Sequence, residues 1–196
     1  MTLIVRAALP EDLIRILRLQ RSNLEEAAGA AAATEGFVTV RHDEETLRRM
    51  HELAPSVVAE DGAALAGYAL TMLPAAKELV PVLRPMFDEL SKLALPPFYV
   101  MGQICVAREY RKTGVFDAPY AAHRNLYGSR FEAVVTEIAV RNVRSLRAHA
   151  RVGFVEVHRY RDATDDWSVV AWEFARHKGP AGASLGVDEG VRKGTT

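Results

Sequence analysis

Tyr99 to Phe116, YVMGQICVAREYRKTGVF, runs an apolar strand-like stretch into a basic turn, Arg111-Lys112-Thr113-Gly114, which then feeds a helical segment. That order brings free backbone N–H groups, the positive end of a helix dipole and two cationic side chains to one point, which suits a phosphate. Alone the fragment decides little, because R-x-x-G ahead of a helix is also a common turn. Neither G-x-G-x-x-G nor G-x-x-x-x-G-K-[ST] occurs in the chain, which removes the usual nucleotide-binding loops.

Farther along, Val134-Val135-Thr136-Glu137-Ile138-Ala139-Val140 is followed by Asn142-x-x-Ser145-x-x-x-His149-x-x-x-Gly153-Phe154. Together the two stretches resemble the GNAT superfamily of N-acetyltransferases. In that family the fourth strand, an R/Q-x-x-G-x-G/A loop and the third helix hold the coenzyme A pyrophosphate. Its fifth strand ends in an Asn that opens a helix of pattern N-x-x-A/S-x-x-x-Y-x-x-x-G-F. Two positions depart from the pattern: Lys112, where Gly is common, and Phe116, where Gly or Ala is usual. The resemblance implies an α/β (α+β) acyl-CoA N-acyltransferase fold, with a mixed central sheet of about six to seven strands flanked by about four helices. It makes residues 1–175 a single domain. The remainder, 176–196, is Gly-rich and aperiodic, and is expected to be a flexible tail.

Outward from these motifs the pattern predicts the other elements. Thr2 to Ala8 reads as a strand, and Leu13, Ile16, Leu17, Gln20 and Leu24 recur at helical spacing, Gln20 alone being polar. Pro10 suits a first helical position, whereas Leu9 is a poor N-cap and should cost about 1 kcal/mol. Ala27 to Ala33 is a loop or frayed end, and Glu35 to Val40 a strand or an extended loop. Asp43 to Leu53 is a helix stopped by Pro55. Ser56 to Glu60 and Ala64 to Met72 flank Asp61-Gly62 as an antiparallel hairpin. Five of the nine prolines fall between Leu73 and Tyr99. That segment is expected to hold a short helix near Val82 to Leu93 and is either a lid or binding loop or an extra packing or dimer element. The strand Phe98 to Val106 and a helix to about Tyr127, starting near Val115, come next. Glu132 to Val140 is a strand, Val143 to Val152 a helix, and Phe154 to Tyr160 with Trp167 to Phe174 a closing hairpin.

With 196 residues and 49% hydrophobic content the chain can bury one sizeable core. The 25 basic and 25 acidic residues cancel, which argues against nucleic acid or an acidic membrane as partner. One cysteine excludes an internal disulfide, and no apolar run approaches the roughly 20 residues of a membrane span. The N-terminus has no cationic stretch followed by a long apolar one, so the expected location is cytoplasmic, and the Ala- and Arg-rich usage suggests a bacterial source. The six histidines show no ligand spacing with Cys or Glu, so no metal is expected. A homodimer remains open.

Acyl transfer to an amine poses three demands. The coenzyme must be held: N–H groups of Lys112, Thr113, Gly114, Val115 and Phe116 can face a pyrophosphate, with Arg111 and Lys112 adding charge. The attacking amine must be neutral: at pKa about 10.4 it lies roughly 3.4 units, or about 4.6 kcal/mol, from that state at pH 7. Glu137, in the middle of an apolar strand, is the first candidate for base, since burial raises a carboxyl pKa; a structural pairing with Arg141 or Arg144 is the alternative. Gln103 cannot accept a proton but can position a water or the substrate. Charge on the thioester oxygen must be stabilised, and by resemblance this falls to backbone N–H groups at Ile104, Cys105 and Val106. Resemblance also implies that His149 takes the place of a Tyr that protonates the leaving thiolate, that Asn142 bonds the pantetheine amide, and that Ser145 lies by the phosphates. The Cys105 thiol lacks a partner for nucleophilic work and reads as a buried apolar residue.

The function implied is an N-acetyltransferase that moves an acetyl group from acetyl-CoA, as co-substrate, to a primary amine of a small-molecule or amino-acid-like acceptor by direct attack. The alternative is a non-catalytic acyl-CoA-binding module that keeps the fold without turnover.

Overall fold

The computed structural model describes residues 2–29 and 36–174. Seven strands form one sheet: β1 Leu3–Ala7, β2 Val57–Asp61, β3 Ala64–Met72, β4 Phe98–Val106, β5 Ala133–Ala139, β6 Val155–Arg161 and β7 Asp166–Glu173. Their spatial order is β1-β2-β3-β4-β5-β7-β6, antiparallel throughout except for β4 against β5. Four helices of at least ten residues flank it: α1 Leu13–Asn23, α3 Glu44–Leu53, α5 Asp117–Tyr127 and α6 Val143–Val152. Two shorter ones, α2 Glu25–Ala28 and α4 Arg84–Leu90, complete the set among the described residues.

The strands alternate their side chains between two cores. On one face Val58, Tyr68, Leu70, Val100, Val135 and Val169 pack with Ile16 and Leu17 of α1, Leu47 and Met50 of α3, and Met86, Phe87 and Leu90 of α4. On the other, Ala69, Tyr99, Met101, Val134, Ile138 and Val170 pack with Tyr120 and Tyr127 of α5 and with Phe154 after α6. This period-two partition makes a sheet with helices on both faces.

Local chemistry explains the element ends, with some differences from expectation. Leu9 offers no side-chain cap, but Asp12, fully buried, accepts the Leu9 N–H at 2.9 Å and is held by Arg6 at 2.6 Å and Arg15 at 2.9 Å. A residue inside the first turn thus supplies the missing partner. Asp43 caps α3 through the Thr46 N–H at 2.7 Å. In the β2–β3 hairpin Asp61 pairs with Ala64, so the two-residue turn is Gly62-Ala63, one position later than Asp61-Gly62; a bulge at Ala59/Glu60 absorbs the offset. The proline-rich segment is a packing element: 3-10 turns at Pro74–Leu79 and Pro81–Leu83 lead into α4, and Ala76, Val80, Leu83, Met86 and Leu90 are buried in the first core. Gly36 to Asp43 forms no strand beyond an isolated parallel bridge of Val38 to Leu24, so the open choice resolves to an extended loop. The expected tail lies outside the described residues.

Candidate active site

β4 and β5 pair over only three positions, Phe98↔Ala133, Tyr99↔Val134 and Val100↔Val135. Beyond these the strands separate, and the edge of β4 from Met101 to Val106 has no strand partner on that side. Backbone donors there need another acceptor. The gap opens into a cleft of about 640 Å³ between the end of β4, the 110–116 turn, α6 and the Gly36–Val38 stretch. Arg111, Lys112, Arg144, Arg147 and Arg151 line it, and none of its described lining residues is an Asp or Glu. In a chain of zero net charge that segregation gives the cleft a local positive potential, which suits a polyanion.

The turn is shaped for the same purpose. Lys112 and Gly114 both have positive φ, 66° and 88°. None of the N–H groups from Lys112 to Phe116 donates to a described backbone carbonyl, and the turn runs straight into α5 with Phe116 at its N-cap. Alternating backbone hand with unspent donors makes an anion-binding concavity at a helix N-terminus.

Inward from the cleft lies a cavity of about 70 Å³ among Phe37 to Val40, Met101 to Ile104 and Thr136 to Ala139, closed by Asn142, Ser145, His149 and Trp167. Glu137 is the one carboxyl group among its described residues. Burial pushes the Glu137 pKa up to about 7, against the opposing pull of a hydrogen bond donated by the Tyr160 hydroxyl and with a smaller upward push from Asp162. Desolvation dominates, so the group sits at the protonation midpoint near neutral pH. The alternative pairing of Glu137 with Arg141 is absent: Arg141 binds Asp165 at 2.6 Å and Glu25, and lies over the Phe37 ring at 4.6 Å.

No protein-family model and no curated protein matches the sequence, so the likeness is carried by the fold. A structure of the ribosomal-protein-S18-alanine N-acetyltransferase from Escherichia coli superposes with a TM-score of 0.62 at 13% identity, covering 94% of this chain and 99% of that one. A putative acetyltransferase from Salmonella typhimurium, solved with its cofactor acetyl-CoA, gives 0.60 at 14% identity, over 93% and 100% of the two chains. A GNAT-family acetyltransferase from Listeria monocytogenes gives 0.61 at 18% identity, over 88% and 95%. The chain has the GNAT fold. At these identities the likeness concerns architecture, and the residues within the GNAT frame must be argued one by one.

Of the positions that resemblance to GNAT proteins singled out, Ile104, Cys105, Val106, Arg111, Lys112, Gly114, Phe116 and Ser145 line the outer cleft. Thr113 does not: it is exposed and its hydroxyl donates to the Tyr110 carbonyl at 2.6 Å. Val115 does not either, being fully buried against Ala59 and Ala66. Both can contribute only backbone. The Cys105 thiol points to Tyr68 and is pushed up to about 12 by burial, so it stays protonated. Phe116 lies edge-on to His149 with ring centroids 5.2 Å apart, and the Arg151 guanidinium sits 5.9 Å above it, which turns its bulk into part of the cleft floor.

Three expectations need correction or narrowing. Gln103 does not stand ready for a water: its Oε1 accepts from Tyr68 Oη at 2.5 Å and Gln20 Nε2 at 3.0 Å, and its Nε2 donates to the Val40 carbonyl at 2.8 Å. Both lone pairs and one of two hydrogens are spent, which makes it a strut between β4 and the 36–42 loop. His149 is unsuited to protonating a thiolate. It is 2% exposed among aromatic rings and burial lowers its pKa to about 4. Its Nδ1 lies 2.8 Å from the Ser145 carbonyl, which can only accept, so the single proton of the neutral ring is on Nδ1 and Nε2 carries none to give. Asn142 caps α6 through the Ser145 N–H at 3.3 Å and donates to the Phe37 carbonyl at 3.0 Å, leaving one amide hydrogen for a ligand.

Sequence reasoning missed the groups that act at second hand. Gln20 was visible as the lone polar residue on an apolar helical stripe; it accepts the His42 N–H at 2.9 Å and donates to His42 Nδ1 at 3.1 Å as well as to Gln103. Tyr68, His42 and Tyr160 left no signal, because an alternating strand or a loop gives no hint of which distant side chain it will meet. Arg111 reaches Asn23 Oδ1 at 2.6 Å, a tie from the turn to the end of α1 that likewise depends on tertiary placement.

Proposed function

We propose that the protein is an N-acetyltransferase that carries an acetyl group from acetyl-CoA to a primary amine of a small-molecule or amino-acid-like acceptor. One observation carries the reading: a cleft with five cations and no carboxylate among its described residues meets, at the point where β4 and β5 part, a cavity whose one described carboxyl group, Glu137, is raised by burial to a pKa of about 7. A polyanionic coenzyme fits the first and an amine fits the second. In this reading the Lys112–Phe116 amides take the pyrophosphate, Arg111, Lys112 and Arg147 add charge, and the pantetheine arm runs beside the unpaired edge of β4. Donors on that edge stabilise the thioester oxygen as it gains charge.

Transfer then takes two protons from the nitrogen, one before attack and one after. Glu137 takes a proton from the acceptor ammonium, directly or through a water, and the freed nitrogen lone pair attacks the carbonyl carbon. The C–S bond breaks, the electron pair leaves on sulfur, and the nitrogen gives its second proton to the departing thiolate or to water, so that coenzyme A and a neutral amide remain. A thiolate whose acid has a pKa near 8.5 is a competent leaving group at neutral pH, so the reaction stands without an acid at His149.

Incubation with acetyl-CoA and a panel of amines, followed by detection of free thiol, tests the reading. Coenzyme-dependent release with at least one amine, lowered by more than tenfold in Glu137→Gln while coenzyme affinity holds, is the expected outcome. Coenzyme binding with no release across the panel would instead favour the acyl-CoA-binding module. Thermal stabilisation checks binding itself, since ligand at 100 times its dissociation constant adds about 2.7 kcal/mol.

A further inference from the structure

The charge segregation at the site has a second side. Among the described residues lining the inner cavity there is no Lys or Arg, and the one histidine, His149, is neutral with its proton committed to a backbone carbonyl. The arginines that adjoin its wall in sequence are engaged elsewhere: Arg141 binds Glu25 and Asp165, and Arg41 binds Glu26. Asp162, anchored by the Thr164 hydroxyl and the Thr164 and Asp165 N–H groups, is ionised and adds negative potential on the Glu137 side. Phe37, Val38 and Trp167 supply the apolar remainder of the wall.

An acceptor nitrogen within reach of Glu137 therefore enters a negative pocket whose own described lining carries no Lys or Arg. If the carbon bearing that nitrogen also carried a carboxylate, as in a free amino acid, the second charge would lie only a few ångströms from Glu137 with no counter-ion. Like-charge juxtaposition of this kind is strongly disfavoured in a desolvated site. A neutral amide or a plain hydrogen at that carbon meets no such penalty. We infer that the acceptor is a carboxylate-free primary amine, and that the site discriminates against free α-amino acids. This rests on the acetyl transfer proposed above and narrows its acceptor class.

Three matched sets decide it: 2-phenylethylamine, phenylalanine and phenylalaninamide; pentylamine, norleucine and norleucinamide; cadaverine, lysine and lysinamide. Initial rates are compared as kcat/KM per neutral amine, to remove differences in amine basicity. The simple amine and the amide should exceed the acid by at least tenfold in every set that is turned over. Thr39→Arg, which sets a cation at an exposed position of the wall, should narrow the gap between acid and amide by several-fold. An acid as fast as its amine overturns the inference. So does an amide as slow as its acid, which would mean exclusion by shape, not charge. If acetyl-CoA stabilises the protein yet none of the nine compounds is acetylated, the transfer reaction itself fails and this inference falls with it.

Discussion

Replacing Glu137 by Gln should make the protein more stable while disabling it, and only above a certain pH. Glu137 has an ordinary value of 4.5 and a folded value of about 7, raised chiefly by burial. A carboxyl whose pKa rises on folding contributes stability that is complete below pH 4.5 and lost as pH climbs through 7, because the folded state must then hold a buried anion. At about 1.4 kcal/mol per pH unit, the full cost is roughly 3 kcal/mol. Gln is nearly isosteric, stays neutral and still accepts the Tyr160 hydroxyl. Between pH 5 and pH 8.5 the advantage of Glu137→Gln over the wild type should grow by roughly 2.5 kcal/mol, or about 5–10 °C in Tm for a chain of this size. Thermal denaturation of both proteins at four or five pH values is sufficient. A difference independent of pH, or no gain at pH 8.5, would refute a buried, strained carboxylate at this position and with it the physical case for Glu137 as base.

Two further changes probe its neighbours. Tyr160→Phe removes a hydrogen bond to a charged acceptor, worth about 1.5–3 kcal/mol, so the acid limb of the kcat/KM profile should move from near pH 7 to about 8 or higher. At pH 7 the rate should drop roughly fivefold and should recover by pH 9.5; a uniform loss at all pH values would mark Tyr160 as merely structural. Lys112→Gly relieves a non-glycine residue at φ 66° while deleting one cation of the cleft. Tm should hold or rise slightly, and the coenzyme dissociation constant should rise two- to fivefold at low salt, with the effect fading as salt is added; an unchanged constant would remove Lys112 from the site.

The fold was largely legible because its signals are local or periodic. The strand-turn-helix of Tyr99 to Phe116 and the Asn142 to Phe154 helix are continuous in sequence, and each strand declares itself by alternation. The Gly36 to Asp43 loop was not, because its conformation is dictated from outside, by Asn142 on Phe37, Gln103 on Val40 and Gln20 on His42. The proline-rich segment reads as a loop by composition, yet Val80, Leu83, Met86 and Leu90 pack it into the core. Within the site, Glu137 stood out as a charge in an apolar strand. The difference between a Gln103 whose oxygen holds water and one whose oxygen is already filled lies in Tyr68 and Gln20, and His149 lost its proton-donor role to a carbonyl one helical turn back. Spacing names a position; only its partners fix its chemistry.

The three-pair contact of β4 with β5 bears on cooperativity as well as on chemistry. It joins two antiparallel blocks, β1 to β4 and β5 to β7, each internally paired over five or more positions per neighbour. A joint so short is a line along which partial opening costs less than global unfolding. The side-chain ties from Asn142 to Phe37 and from Arg141 to Glu25 bridge the same line from the outside. A ligand resting on β4 on one bank and on α6 on the other would add its binding free energy to that joint. The shortest strand pairing of the described sheet and the proposed seat of the coenzyme are therefore the same place, so occupancy should reinforce the integrity of the sheet.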